Sequence, residues 1–273
     1  FTVAENLATG RGFQIDYIWH YLVKPASVTH YSNDYWMPMT SIIISLSMRV
    51  FGISMVAALL PSMIAGLTLM ILTWLISRMF TQSTFVQLGS VSMVAFFPSL
   101  FRNSLLTDST IFSALFVALC LYFIIRSQDS PRQLLPAAVC LGFAHLSRQD
   151  AVLLLPLLVW AGWRTTQTYI KRIGLIFGSI AVYACIIAPI CALNWNEFGS
   201  LFPSGSSKTM FLTRYEDIYS YARELTWENY LAWGWKNILI SKLKVSRLGL
   251  IVIYKTLGPV ITLLMAGGAV RFG

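Results

Sequence analysis

Charge is what this sequence has least of: only 11% of its 273 residues are Asp, Glu, Lys or Arg, while 56% are hydrophobic. A soluble domain carries about 25% charged residues, so a water-soluble globular protein is excluded and a membrane protein is expected. Histidine is scarce, with three residues, and no His-Glu-x-x-His pair is among them. There is no Gly-rich Walker loop and no Gly-x-Ser-x-Gly elbow, which leaves soluble nucleotide and serine-hydrolase chemistry without support. The four cysteines, Cys120, Cys140, Cys185 and Cys191, lie in apolar stretches without zinc-site spacing and are expected to pack in the core. Repeats of fixed period and low-complexity tracts are also missing. The chain opens on Phe1, with neither an initiator Met nor a signal peptide, and stops at Gly273 after an apolar run, which reads as a fragment.

Long apolar runs are what is present. A spanning helix needs roughly 20 apolar residues, and seven runs qualify or come close: Val56–Ser77, Phe85–Phe101, Ser109–Ile125, Leu134–Leu146, Ala151–Trp163, Ile173–Leu193 and Thr256–Val270. The two shortest form a hairpin broken by Ser147-Arg148-Gln149-Asp150, a turn or a re-entrant tip. The formal charge of +9 is carried by cations set singly between apolar runs, which fits topology rather than nucleic acid. Arg78, Arg126, Arg132, Arg164, Lys171, Arg172 and Arg271 fall on one side if the spans alternate, and the positive-inside rule makes that side cytoplasmic.

The expected architecture is an all-α polytopic bundle of about seven spans, with interfacial helices in its first extracytoplasmic loop. Its parts are a loop over residues 1–55, a transmembrane bundle over 56–193, a second extracytoplasmic loop over 194–255, and a last, truncated span over 256–273. Pro38–Phe51, about 14 residues or roughly 21 Å of helix, is too short to cross about 30 Å of hydrocarbon and is expected along the interface. Pro38 suits its first turn and Gly52 its end. A second interfacial stretch is expected between Tyr219 and Arg247, where Trp227, Tyr230, Trp233 and Trp235 alternate with charges.

The same alternation gathers Glu5, Lys24, His30, Asp34, Arg102, Asp108, Arg148, Asp150 and Asn194 on the opposite, extracytoplasmic face. Ionisable groups beside a span are costly and make functional candidates. Asp108 heads an apolar helix, where it is either an N-cap or an active-site carboxylate. Arg148 and Asp150 are either a salt-bridged tip or a phosphate site, since the Arg fork suits phosphate. His30 and Asp34 flank the entry to the interfacial helix and could bind pyrophosphate or a metal, but two residues do not make a metal site.

Several stretches resemble a known family. Ala4–Phe13, Tyr35–Ser41 continuing to Phe51-Gly52, Leu106-Thr107-Asp108, Leu141–Asp150, and Asn194 with Phe198-Gly199 match, in order, segments of membrane glycosyltransferases of the GT-C class. The likeness is to the bacterial branch related to protein O-mannosyltransferases (glycosyltransferase family 39) and lipid A aminoarabinose transferases. Thr29-His30-Tyr31 stands where the aminoarabinose branch has Glu-Lys-Pro, and Cys191-Ala192 where the family has Pro-Trp. The resemblance implies sugar transfer from a polyprenyl-phosphate donor to a lipid, glycan or protein acceptor, in a bacterial inner membrane with the active site on its extracytoplasmic face. It implies Asp108 as a second catalytic carboxylate, with the principal Asp upstream of Phe1, so that the fragment alone is inactive. Arg148, His30 and Lys24 become candidates to hold the donor phosphate, with Glu5, Asp34, Arg102, Asp150 and Asn194 as further candidates. No cofactor is fixed, and a divalent metal ion is the one left open. A membrane transporter or flippase and a non-catalytic membrane relative are the competing readings.

Overall fold

The computed structural model describes every residue except Lys24, Ala26, Thr166, Gln167, Pro203, Ala222 and Gly273, and only the backbone of Ser204, Ile253, Thr256, Leu257 and residues 259–272. Among the described residues the fold is helical, with one two-stranded ribbon, β1 (Gln14–Ile15) against β2 (His30–Tyr31), antiparallel with Gln14 opposite Tyr31. The chain divides into two units: Phe1–Ile18 with Pro25–Ser206, and Trp19–Lys24 with Ser207–Gly273.

The first unit holds α1 (Thr2–Ala8), α2 (Met39–Phe51), α3 (Met55–Phe80), α4 (Thr84–Ala95), α5 (Pro98–Ser104), α6 (Ser109–Arg126), α7 (Leu134–Ser147), α8 (Leu155–Arg164) and α9 (Tyr169–Phe198). Three are long and apolar enough to cross a membrane: α3 with 26 residues, α6 with 18 and α9 with 30. Their outer faces stay apolar, with Leu67, Ile71 and Phe177 all more than half exposed, as lipid contact requires. The run Phe85–Phe101 forms the bent pair α4 and α5, which meet at 61° and count as a fourth span if taken together. Pro98 causes the break, because Phe97 before it is held extended (φ −70°, ψ 112°).

The runs at Leu134–Leu146 and Ala151–Trp163 form helices of 14 and 10 residues, each too short to cross alone. Between them Arg148 is extended (φ −150°, ψ 130°) and Gln149–Leu154 forms a 3-10 stretch. Residues 256–270 lie in the distal part of α12 (Trp235–Phe272), where the side chains are outside the described residues. The expected short helix is α2, with Pro38 one step earlier than expected, at the N-cap, and Gly52 ending it at φ +83°.

Packing follows the rules of a medium without a hydrophobic drive, where small residues let helices approach. Leu134, Ala137, Ala138 and Leu141 of α7 are fully buried among Cys120 of α6, Leu158 and Ala161 of α8, and Tyr183 of α9. At Gly142 a Cβ would lie 2.6 Å from Ile186 of α9, so only glycine lets α7 and α9 close up there. Cys120 and Cys140 pack in this core as expected, but Cys185 is exposed and Cys191 half-buried. The correction has a simple cause: α9 turns part of its surface outward, and a thiol is apolar enough for lipid.

α2 and α3 are stitched by a compensation. Pro61 inside α3 has no N–H to give to the carbonyl four residues earlier, that of Ala57. Ser47 of α2 supplies the missing donor, its Oγ–H reaching the Ala57 oxygen at 2.6 Å. α1 packs on the same pair through Ala4, buried with Ile44, Met48, Ala57 and Ala58, and Arg49 Nη2 donates to the Leu7 carbonyl at 2.6 Å.

The second unit contains α11 (Trp227–Ala232) and α12, numbered after α10 (Ser204–Lys208), where the two units meet in sequence. Its Trp19–Lys24 segment is bound through Tyr21 N–H to the Ile218 carbonyl at 2.9 Å, and through Lys208 Nζ to the Leu22 carbonyl at 2.9 Å. Phe211, Trp227, Tyr230 and Trp233 form an aromatic cluster. The aromatic and charged stretch expected from Tyr219 to Arg247 is therefore α11 and the start of α12, with Lys242 Nζ 5.7 Å over the Tyr230 ring.

Candidate active site

The head of α6 and the tail of α7 lie side by side, with the Phe116 and Phe143 rings 5.5 Å apart. Asp108 precedes α6 in extended conformation and accepts the Thr110 N–H at 2.7 Å through Oδ1, a helix cap. Arg148 leaves α7 with its N–H still on the Ala144 carbonyl at 2.8 Å. Its Nε donates to Asp150 Oδ1 at 3.1 Å and Oδ2 at 3.3 Å, and its Nη2 to Oδ2 at 3.0 Å. That fork uses only Nε and Nη2 of a group with five N–H donors. Arg148 is held above its ordinary pKa first by the hydrogen bond to Asp150, against the effect of burial, and then by the charges of Asp150 and Asp108. Asp108 and Arg148, 40 positions apart in the sequence, thus share one electrostatic neighbourhood.

A second group faces the far end of α9. His30 Nε2 lies 3.5 Å from Asp34 Oδ2, and His30 Nδ1 is bonded with the Val28 carbonyl at 2.9 Å. Tyr31 packs on Phe198 at 5.4 Å, and its hydroxyl pKa is raised, chiefly by burial and further by the charge of Glu197, with the Asn33 hydrogen bond opposing. Asn194 on α9 is 1% exposed, with its Oδ1 unbonded among the described residues. The two groups flank a common apolar plug of Met39, Leu146 and Ile190. Met39 opens α2 shortly after Asp34, Leu146 precedes Arg148, and Ile190 lies one turn before Asn194. Convergence from separate parts of the chain is what a site requires.

Two candidates stand apart. Glu5 is half-buried in α1, which packs on the distal half of α2, and Arg102 is exposed on α5. Lys24 lies outside the described residues. Among the described residues no cluster of three or more His, Cys, Asp and Glu is placed to hold a metal ion, so His30 and Asp34 remain a pair.

Below Asp108 runs an apolar groove of about 310 Å³ between α2, α3 and α6, lined by Ile43, Pro61, Ile64, Phe112, Leu115 and Phe116 among others. Phe112, Leu115 and Phe116 stand three and four positions apart and form one stripe of α6 that starts a turn after Asp108.

The sequence pattern of the dolichyl-phosphate-mannose-protein mannosyltransferase family matches residues 36–193, more than half of the chain. The chain belongs to this family. No curated protein and no solved structure matched it. Family membership makes it a glycosyltransferase of GT-C type and, with its apolar helices, an integral membrane protein. The matched segment runs from α2 to α9 and carries Asp108, Arg148 and Asp150.

Sequence reasoning missed several polar residues of this mannosyltransferase-family bundle. Ser32 and Asn33, between the singled-out His30 and Asp34, are each 2% exposed. His145 is buried in α7, hydrogen-bonded to the Tyr183 hydroxyl and stacked on Phe202. Ser206 donates to Gln149 Oε1 at 2.7 Å, tying the chain after α9 to the turn that carries Arg148. A lone His inside an apolar run was the one available signal; hydroxyls carry none until the partner helix is known.

Proposed function

We propose that this protein transfers a sugar from a polyprenyl-phosphate donor to an acceptor hydroxyl, at the end of the bundle formed by Asp108, Arg148 and the His30–Asp34 loop. The observation that carries this reading is that the head of α6, with Asp108, packs beside the tail of α7, with Arg148, above an apolar groove lined by Phe112, Leu115 and Phe116 of α6. Each suits one part of such a donor: the groove its isoprenoid chain, Arg148 its phosphate, and Asp108 the sugar between them. His30 is a second cation candidate for the phosphate and Asn194 a polar contact. In the reaction the acceptor oxygen attacks the anomeric carbon, the bond from that carbon to the phosphate oxygen breaks, and polyprenyl phosphate leaves with the electron pair. The acceptor proton goes to a carboxylate base. Asp108 serves as an active-site carboxylate beside that base. The cationic ends of α3, α6, α8 and α9 favour the cytoplasm for the opposite end, which supports an extracytoplasmic site.

The bent pair α4 and α5 is the feature that a transporter would share. The intact protein in proteoliposomes separates the readings. It should transfer sugar from a polyprenyl-phosphate sugar and not from a nucleotide sugar; transfer from the nucleotide sugar, or movement of a solute without transfer, contradicts the proposal.

A further inference from the structure

At the opposite end of the same unit, the α6–α7 connection and the start of α9 enclose a cleft of about 530 Å³, within the range of ligand pockets. Its walls are Asp129, Ser130, Pro131, Arg132, Lys171 and Leu175. Two cations and one carboxylate leave this wall with an excess of one positive charge.

Three further observations sharpen that excess. Arg172 follows Lys171, and its Nε is buried without a hydrogen-bond partner among the described residues. Both cations stand in the first turn of a 30-residue helix that has no acid there and no side-chain cap on Thr168, so the positive end of its dipole adds to theirs. Arg126 and Arg164 close the helices that end beside it, α6 and α8. Pro131 and Leu175 supply the apolar part of its lining.

We infer that this cleft binds the phosphate of an anionic glycerophospholipid from the leaflet at that end. Arg132 and Lys171 take the phosphodiester, while Asp129 and the Ser130 hydroxyl accept from and donate to a hydroxylated headgroup such as glycerol. Basic pockets between transmembrane helices recognise headgroups in this way. The net charge of the wall favours a lipid with one negative charge over a zwitterion. None of these residues belongs to the Asp108 and Arg148 end, so the inference does not depend on the proposed reaction.

The test is native mass spectrometry of the detergent-solubilised intact protein, with phosphatidylglycerol, phosphatidylethanolamine or inorganic phosphate added separately, for wild type and for Arg132→Gln/Lys171→Gln. At about one kcal/mol for each cation, the double variant should bind phosphatidylglycerol about 30-fold more weakly. Arg132→Lys/Lys171→Arg, which keeps both charges, should bind as wild type does, and phosphatidylethanolamine should bind wild type at least about tenfold more weakly than phosphatidylglycerol. Equal retention of the two lipids by wild type overturns the inference even where the Gln variant fails to fold. So does undiminished phosphatidylglycerol binding by a folded Gln variant, or displacement of the lipid by millimolar inorganic phosphate, which marks a free-anion site.

Discussion

The role proposed for Arg148 is one that lysine cannot fill. Its Nε edge is committed to Asp150, and the rest of the fork is left for an anion, whereas an ammonium offers one compact charge to both. Arg148→Lys is therefore expected to raise the KM for a polyprenyl-phosphate donor by about tenfold or more, with a smaller change in kcat, in steady-state transfer assays. In the second unit Asp217 sets a pH dependence. Burial alone would raise its pKa, but the Arg214 N–H, the Thr213 hydroxyl and N–H, and the Arg223 charge together bring it below the usual value. A depressed folded pKa gives stability that is full above the unfolded pKa near ~3.9 and disappears as pH falls through the folded value. Thermal unfolding should therefore show Asp217→Asn destabilised at pH 7, with the gap to wild type closing below about pH 4. Asp108 and Arg148 were legible in the sequence because charges beside apolar runs stand out. The His145–Tyr183 pair was not, because each partner looks like an ordinary core residue until α7 and α9 are seen to meet.

At the scale of elements, the bundle closes through local compensations more than through long apolar faces. Ser47 satisfies the Ala57 carbonyl that Pro61 leaves open. Ser47→Ala should cost about 1–2 kcal/mol in an unfolding assay. In a Pro61→Ala background, where the helix bond to Ala57 can form, the same change should cost much less, a coupling of at least about 0.5 kcal/mol in a double-mutant cycle. Additive effects would mean that the contact is incidental. Gly142 is the matching case for α7 and α9: Gly142→Leu should destabilise by about 1–3 kcal/mol, because Ile186 already fills the space. Neither compensation could be read from the sequence, since Pro61 and Gly142 reveal only that something is needed there. Helices α3, α6 and α9 were legible because length and apolarity decide them, and α2 because Gly52 and its short length bound it. The break at Pro98 was not assigned, although the residue before a proline is known to avoid helix.

At the scale of the whole molecule, the two ends of the first unit carry opposite chemistry. One collects carboxylates and the Arg148 fork around an apolar plug, and the other is a rim of Arg and Lys with one nearby Asp. The cations that end the apolar runs were legible in the sequence. That Asp108 and Arg148 share one end came only from the packing of α6 on α7. The central claim is that Asp108 acts through its charge on the sugar donor and not merely as a helix cap, and comparison of Asp108→Asn with Asp108→Ala in the intact protein tests it most directly. Asn caps a helix about as well as Asp does, while Ala forfeits about 1 kcal/mol. Sugar transfer from the lipid-linked donor, measured beside thermal stability, should fall about 100-fold or more for Asp108→Asn with its stability near wild type. Near-normal transfer by Asp108→Asn, with loss only in Asp108→Ala, would contradict the account and leave Asp108 as a cap.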